Sequence, residues 1–264
     1  MAKPDGAALV TGASGGIGLE LARLLARGGH DLVLVARSAE KLQTLARELE
    51  GEHGVRAHAL PADLTDPGAP ERIAAELRGR GVEVEVLVNN AGFGVAAPFA
   101  EADTARQVEM IQVNVTALTH LTRLFLPAML SRRSGRILNV ASTAAFQPGP
   151  FLAVYYATKA YVLSFSEAVA EEVRGTGVTV TALCPGPTHT GFAAEARMEG
   201  TLLFRAGRVM DAATVARVGY RGMMRGKRLV IPGVLNQVVA TVAQRSPRAL
   251  VLRLVRQLNR VPGT

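Results

Sequence analysis

Apolar residues recur along the chain in two alternating rhythms: short aliphatic runs, and longer stretches with the three-to-four-residue spacing of an amphipathic helix. The short runs are Ala8 to Val10, Leu32 to Ala36, Val55 to Leu60, Val84 to Val88, Arg136 to Val140, Val178 to Leu183 and Leu229 to Ile231. Each reads as a strand. The helical rhythm covers Ile17 to Arg27, Glu40 to Glu50, Glu71 to Arg78, Ala105 to Leu130, Val154 to Val173 and Ala212 to Met224. Strict alternation of strand and helix predicts an α/β, doubly wound domain whose parallel sheet of about seven strands is covered by helices on both faces. No linker, repeat or low-complexity block interrupts the pattern, so residues 1–233 read as one domain and 234–264 as a helical extension of it.

Composition adds limits to this picture. With 48% hydrophobic and 20% charged residues, the chain excludes disorder as its main state. The uncharged stretch from Ile137 to Thr158 is interrupted by Asn139, Gln147 and the turn Pro148-Gly149-Pro150, which argues against a membrane span. Cys184 has no second cysteine to bridge, and the start MAKPDGAALVTG lacks the apolar core of a secretory signal, so the cytoplasm is the expected location. His30, His53, His58, His120 and His189 show no ligand spacing, and no metal is expected.

The formal net charge of +8 is carried by the end of the chain, where ten basic residues and no acidic one follow Ala212. Ser246-Pro247 reads as a cap and first-turn proline. Beyond it Leu250, Val251, Leu254, Val255, Leu258 and Val261 share one helical face, opposite Arg253, Arg256 and Arg260. Such a basic amphipathic helix has two fates: packing on the domain or another subunit, or lying peripherally on the anionic inner face of a membrane. Nucleic acid is not an expected partner, because the basic stretch lacks interleaved aromatics or a binding motif.

In a doubly wound sheet ligands bind beyond the carboxyl ends of the strands. After the first strand stands Thr11-Gly12-Ala13-Ser14-Gly15-Gly16-Ile17-Gly18, leading directly into a helix. Glycines there allow a tight turn, close approach of a pyrophosphate and close helix packing, while free amides at the helix start face the anion. The loop makes the domain Rossmann-type, with Gly12, Ser14, Gly15, Gly16, Ile17 and Gly18 as candidate dinucleotide contacts; turn residues without a ligand are the alternative. At the end of the second strand, where an NAD site usually carries a carboxylate, the chain has Ala36-Arg37-Ser38. A guanidinium suits the 2′-phosphate of NADP, so Arg37 favours NADP(H); a solvated arginine opening the next helix is the alternative.

Three further elements are Asn89-Asn90-Ala91-Gly92 after the fourth strand, Ser142 after the fifth, and Tyr155-Tyr156-Ala157-Thr158-Lys159 at the start of a helix. With the glycine loop, in this order and at these distances, they resemble the short-chain dehydrogenase/reductase family from Ala7 to about Gly233. Hydride transfer to a carbonyl carbon needs a proton for its oxygen, and Tyr155 can supply it; Lys159, one helical turn on, is expected to lower the phenol's pKa. Tyr156 is also within helical reach of Lys159, and the motif spacing selects Tyr155.

The resemblance implies that Ser142 holds the substrate oxygen and that Asn114 holds a water beside the lysine; a turn cap and a structural hydrogen bond are their alternatives. It also implies cofactor contacts from Tyr155 and Lys159, from Asp63 and Leu64, from Asn90, Ala91 and Gly92, and from Pro185, Gly186, Thr188 and Thr190. Asp63 could equally cap its own turn. Cys184 reads as a buried apolar side chain. The segment Phe192 to Phe204 is expected to cover the substrate, with Phe151 and Phe192 lining an apolar pocket unless they are core. The combined expectation is an NADP(H)-dependent oxidoreductase acting on a lipophilic carbonyl or alcohol as a homodimer or homotetramer, reduction being favoured because cells keep NADPH reduced. A non-catalytic NADP(H) sensor is the alternative, and it leaves Ser142, Tyr155 and Lys159 without a purpose.

Overall fold

The computed structural model describes residues 6–196, 198, 200–203 and 209–260. Phe204 and Val261 therefore lie outside the described residues. Side chains alternate along each strand and so sort to two faces. In β1 (Ala7–Thr11), Ala8 and Val10 enter one core while Ala7 and Leu9 enter the other. In β2 (Leu32–Ala36), Leu32 and Leu34 part from Val33 and Val35 in the same way. The remaining main-sheet strands are β3 (Ala57–Pro61), β4 (Val84–Asn89), β5 (Gly135–Val140), β6 (Val178–Leu183) and β9 (Leu229–Val230). They form a seven-stranded parallel sheet in the order β3-β2-β1-β4-β5-β6-β9. The direction of winding reverses between β1 and β4, which places a crevice at their carboxyl ends.

Helices cover both faces. On one, α1 (Gly16–Arg27) and α2 (Ala39–His53) bury Leu21, Leu25, Leu42 and Leu49, joined by α8 (Ala212–Met224) with Val215 and Met223. On the other lie α3 (Ala69–Gly79), α4 (Thr104–Ile111), α5 (Leu118–Arg132) and α6 (Ala153–Glu172), burying Ile73, Met110, Leu121 and Val169. A two-stranded parallel pair, β7 (Thr188–His189) and β8 (Met210–Asp211), flanks the short helix α7 (Phe192–Glu195). The chain ends in α9 (Val234–Arg245) and α10 (Arg248–Asn259).

Three local readings change. The expected helix from Ala105 to Leu130 is α4 and α5 joined through a π-helical turn, Gln112–Ala117, and Asp103 starts it by accepting from the amides of Ala105 and Arg106. The third strand begins at Ala57, because Gly54 at φ 65° closes α2 and Val55 is spent plugging the core. Ser246 closes α9, its amide and hydroxyl both donating to the Val242 carbonyl, so it does not cap the last helix.

The stripe on α10 is divided. Val251 and Val255 are buried against Leu152, Tyr156 and Met198, and Asn259 is buried beside them, whereas Leu250 and Leu254 are 60% and 55% exposed. Among the described residues no helix is long and apolar enough to cross a membrane.

Candidate active site

The glycine loop leaves β1 with Gly12 at φ 66°, a conformation that side chains rarely adopt. A Cβ on Gly18 would stand 2.3 Å from the Gly12 carbonyl oxygen, so only glycine lets α1 pack this closely against the loop. Asn90 braces the same turn, its side-chain amide donating to the Thr11 and Gly12 carbonyls at 2.9 and 3.3 Å. Gly15 differs: a Cβ there would meet nothing within 4 Å, and no side chain caps the helix it precedes. Gly15, Gly16 and Ile17 at the start of α1 border the cleft, where uncapped first-turn amides suit a pyrophosphate. The residues present fit a dinucleotide.

A single cleft of about 800 Å³ runs from this loop across the sheet's end, and its lining includes Gly12, Ser14, Gly15, Gly16, Ile17, Arg37, Asp63, Leu64, Asn90, Ala91 and Gly92. Ser142, Tyr155, Lys159, Pro185, Gly186, Thr188, Thr190 and Phe192 line it as well. Gly18 and Asn114 do not; the first is packed beneath the loop. Asp63 accepts from the amide and hydroxyl of Thr65, and Thr190 accepts from the Phe192 amide, so both also hold their own turns.

Tyr155 and Lys159 stand one turn apart on α6, with the ammonium 5.8 Å from the Tyr155 ring centroid. Lys159 is buried and donates to the Val140 carbonyl at 2.8 Å; burial pushes its pKa down to about 8. Gly92 makes room for Asn114, since a Cβ there would lie 2.9 Å from Oδ1. Tyr155 is half-buried on the cleft wall; desolvation by the protein around its phenol drives the pKa above the ordinary value, while hydrogen bonding with Ser142 opposes the rise. The net direction is upward, so the phenol keeps its proton at neutral pH; the lowering expected of Lys159 is not among the causes of that direction. Phe192 packs on its ring at 5.1 Å between centroids.

Ser142 lines the cleft and caps its own turn. Its Oγ accepts from the Ala144 amide at 3.1 Å, capping the turn Thr143–Phe146, and its hydroxyl reaches the Pro185 carbonyl at 3.4 Å. Asn114, inside the π turn, makes three hydrogen bonds: Oδ1 accepts from the Phe93 amide, and Nδ2 donates to the Phe93 carbonyl and Thr158 Oγ1, leaving one acceptor position on Oδ1. Its side chain ties the loop after β4 to α6 and positions Lys159 through that link. Tyr156 turns away from the proton-transfer geometry, sharing a 3.2 Å hydrogen bond with Asn259 of α10.

Phe151 does not line the cleft. At φ 67° it turns from the Pro148-Gly149-Pro150 corner toward Pro98, Phe99, Leu252, Arg253 and Arg256, a separate groove. Sequence reasoning missed Lys41, which lines the cleft from the first turn of α2, four residues after Arg37. It also missed Leu235, Val239 and Leu258, for which no local signal exists. Cys184 is buried, its thiol pushed up to about 12 by desolvation, and unsuited to nucleophilic work.

A neutral phenol beside a hydroxyl and a buried ammonium, next to a cleft fit for a dinucleotide, defines an oxidoreductase of carbonyl and alcohol groups. The model of the short chain dehydrogenase family matches residues 6–200, and the chain belongs to that family. It is 34% identical over 196 residues to the ketoacyl reductase HetN of Nostoc sp., covering 74% of this chain and 68% of that one. It is 38% identical over 181 residues to 17-beta-hydroxysteroid dehydrogenase type 3 of Mus musculus, covering 67% of this chain and 58% of the mouse protein. A short-chain dehydrogenase from Sphingobium yanoikuyae, solved in complex with NADPH, superposes with a TM-score of 0.81 at 32% identity, covering 92% and 97% of the two chains.

Proposed function

We propose that the protein is an NADP(H)-dependent reductase of a lipophilic ketone or aldehyde. One observation carries this reading: the same cleft joins the Arg37 guanidinium to an apolar chamber walled by Met198, Leu202, Leu203, Leu235, Val239 and Leu258, with Tyr155 among its lining. Among the described residues, the charged side chains lining the cleft apart from Lys159 are Arg37, Lys41, Asp63 and Glu195, with Glu195 3.9 Å from Arg37. A hydrocarbon-rich substrate gains roughly 25 cal/mol per Å² of apolar surface buried there.

Bound NADPH would supply the hydride to the carbonyl carbon, and the 2′-phosphate would fall to Arg37 and Lys41. Tyr155 gives its phenolic proton to the carbonyl oxygen, while Ser142 donates a hydrogen bond to that oxygen and steadies the charge that develops. The Lys159 ammonium stabilises the phenolate left behind. Phe192 excludes water from that step.

The charge on Lys159 sets a pH dependence. Its pKa of about 8 means the ammonium is present below that pH and lost above it. The reductive rate is expected to fall as pH rises through about 8, and Lys159→Arg, which stays charged, is expected to move that fall upward. A rate flat from pH 7 to 10 would contradict it.

The reading places residues 1–233 as the catalytic domain with 234–264 as its extension, located in the cytoplasm. It includes a homodimer or homotetramer, supported by exposed Val108 and Ile111 on α4 and Tyr161 on α6. The test is a thermal-shift titration with NADPH and NADH in parallel, followed by a panel of long-chain and polar carbonyls. A larger NADPH shift and turnover of the lipophilic carbonyls are expected. A larger NADH shift, or turnover confined to polar sugars, overturns the reading.

A further inference from the structure

We propose that the outer faces of α9 and α10 dock on an anionic lipid bilayer and set the mouth of the substrate chamber against it. Of the residues in α9, only Ala240 is buried. Val234, Leu235, Val238, Val239 and Val242 follow helical spacing along one face and are 46–76% exposed. On α10, Leu250 and Leu254 continue the unburied half of the apolar stripe, and Leu252 is exposed on its other flank. Clustered apolar surface of this kind marks a contact site.

The two helices reach the same opening. Leu235 and Val239 of α9 are exposed to solvent and also line the cleft, Leu258 of α10 lines it too, and Leu202, half exposed, completes the rim. The apolar chamber and the apolar outer face are thus continuous. A face buried in the acyl boundary would open the chamber toward the bilayer, where a lipophilic carbonyl is concentrated; this delivery step rests on the reading of the substrate given above, whereas docking itself does not.

Charge chooses the occupant. Arg245, Arg248, Arg253 and Arg256 are exposed and make no ion pair among the described residues, and the chain has no acidic residue after Ala212. A symmetric contact between two copies through this face would set arginines against arginines without a carboxylate to separate them. Anionic headgroups satisfy the same arginines while the acyl region takes the valines and leucines. Each arginine near such a surface changes partition by about fivefold.

The experiment is vesicle flotation of the full chain with phosphatidylglycerol-rich vesicles and with pure phosphatidylcholine vesicles, alongside light scattering. The variants are R248E/R253E and V238S/L254S, at positions that do not line the cleft, and an unchanged NADPH thermal shift shows that they are folded. The expected result is flotation with phosphatidylglycerol, weakened by high salt and reduced roughly twentyfold or more by R248E/R253E, with V238S/L254S also impaired. Absence of flotation overturns the proposal, as does equal flotation of the wild type and R248E/R253E. A dimer that dissociates in V238S/L254S without any vesicle binding assigns the face to a second copy instead. Flotation needs neither cofactor nor substrate, so flotation without an NADPH shift would sink the enzymatic reading and leave docking intact.

Discussion

Tyr155→Phe is expected to lower the reductive rate by about a thousandfold while leaving the NADPH-induced thermal shift nearly unchanged. The substitution removes one oxygen from a ring whose packing against Phe192 remains, so the cleft keeps its shape. What disappears is the proton source: Tyr155 is the phenol on the cleft wall beside Ser142, and the hydroxyl of neighbouring Tyr156 is committed to Asn259. Tyr156→Phe is the matched control. It should keep the rate and cost about 1 kcal/mol of stability through the lost hydrogen bond. A Tyr155→Phe protein turning over at the wild-type rate would move the acid elsewhere and reopen the sensor reading; a Tyr155→Phe protein with no NADPH shift would show a structural effect instead.

Arg37→Ala is expected to weaken NADPH binding by roughly ten- to a hundredfold and NADH binding hardly at all, measured as dissociation constants at one ionic strength. The guanidinium side chain is 66% exposed, and Glu195 at 3.9 Å holds it only loosely. An exposed ion pair of that length contributes little, so a 2′-phosphate meets an arginine that is nearly free to turn toward it. Hydrogen bonds to a charged group contribute about 1.5–3 kcal/mol each, which sets the range. Lys41 on the first turn of α2 keeps part of the attraction in the variant. Equal losses for both cofactors would assign Arg37 to the shared part of the dinucleotide and remove the basis for NADP preference.

The parts of the site that were legible in the sequence are those built from neighbours along the chain. The glycine loop follows a strand and opens a helix, so its geometry follows from a few consecutive residues. Tyr155 and Lys159 share a face because four residues make about one helical turn. The inner strands were legible for a related reason: residues buried on both faces leave continuous aliphatic runs, as in Leu32-Val33-Leu34-Val35. Asn114 shows the limit. Its sequence surroundings read as an ordinary helix, and only the π turn and the three bonds to Phe93 and Thr158 show where its amide is spent.

Periodicity and local spacing, both properties of the chain itself, determined the class of fold, the order of its strands and helices along the chain, the dinucleotide loop and the pairing of tyrosine with lysine. Tertiary structure alone decided the sign of the Tyr155 shift, because desolvation depends on everything that encloses the hydroxyl. It alone turned Phe151 out of the cleft and brought Leu258 into it. It also divided the α10 stripe between core and solvent by tying Asn259 to Tyr156, 103 residues earlier in the chain. Contacts of that separation arise from the packing of whole elements, and no local pattern encodes which face of a terminal helix finds a partner.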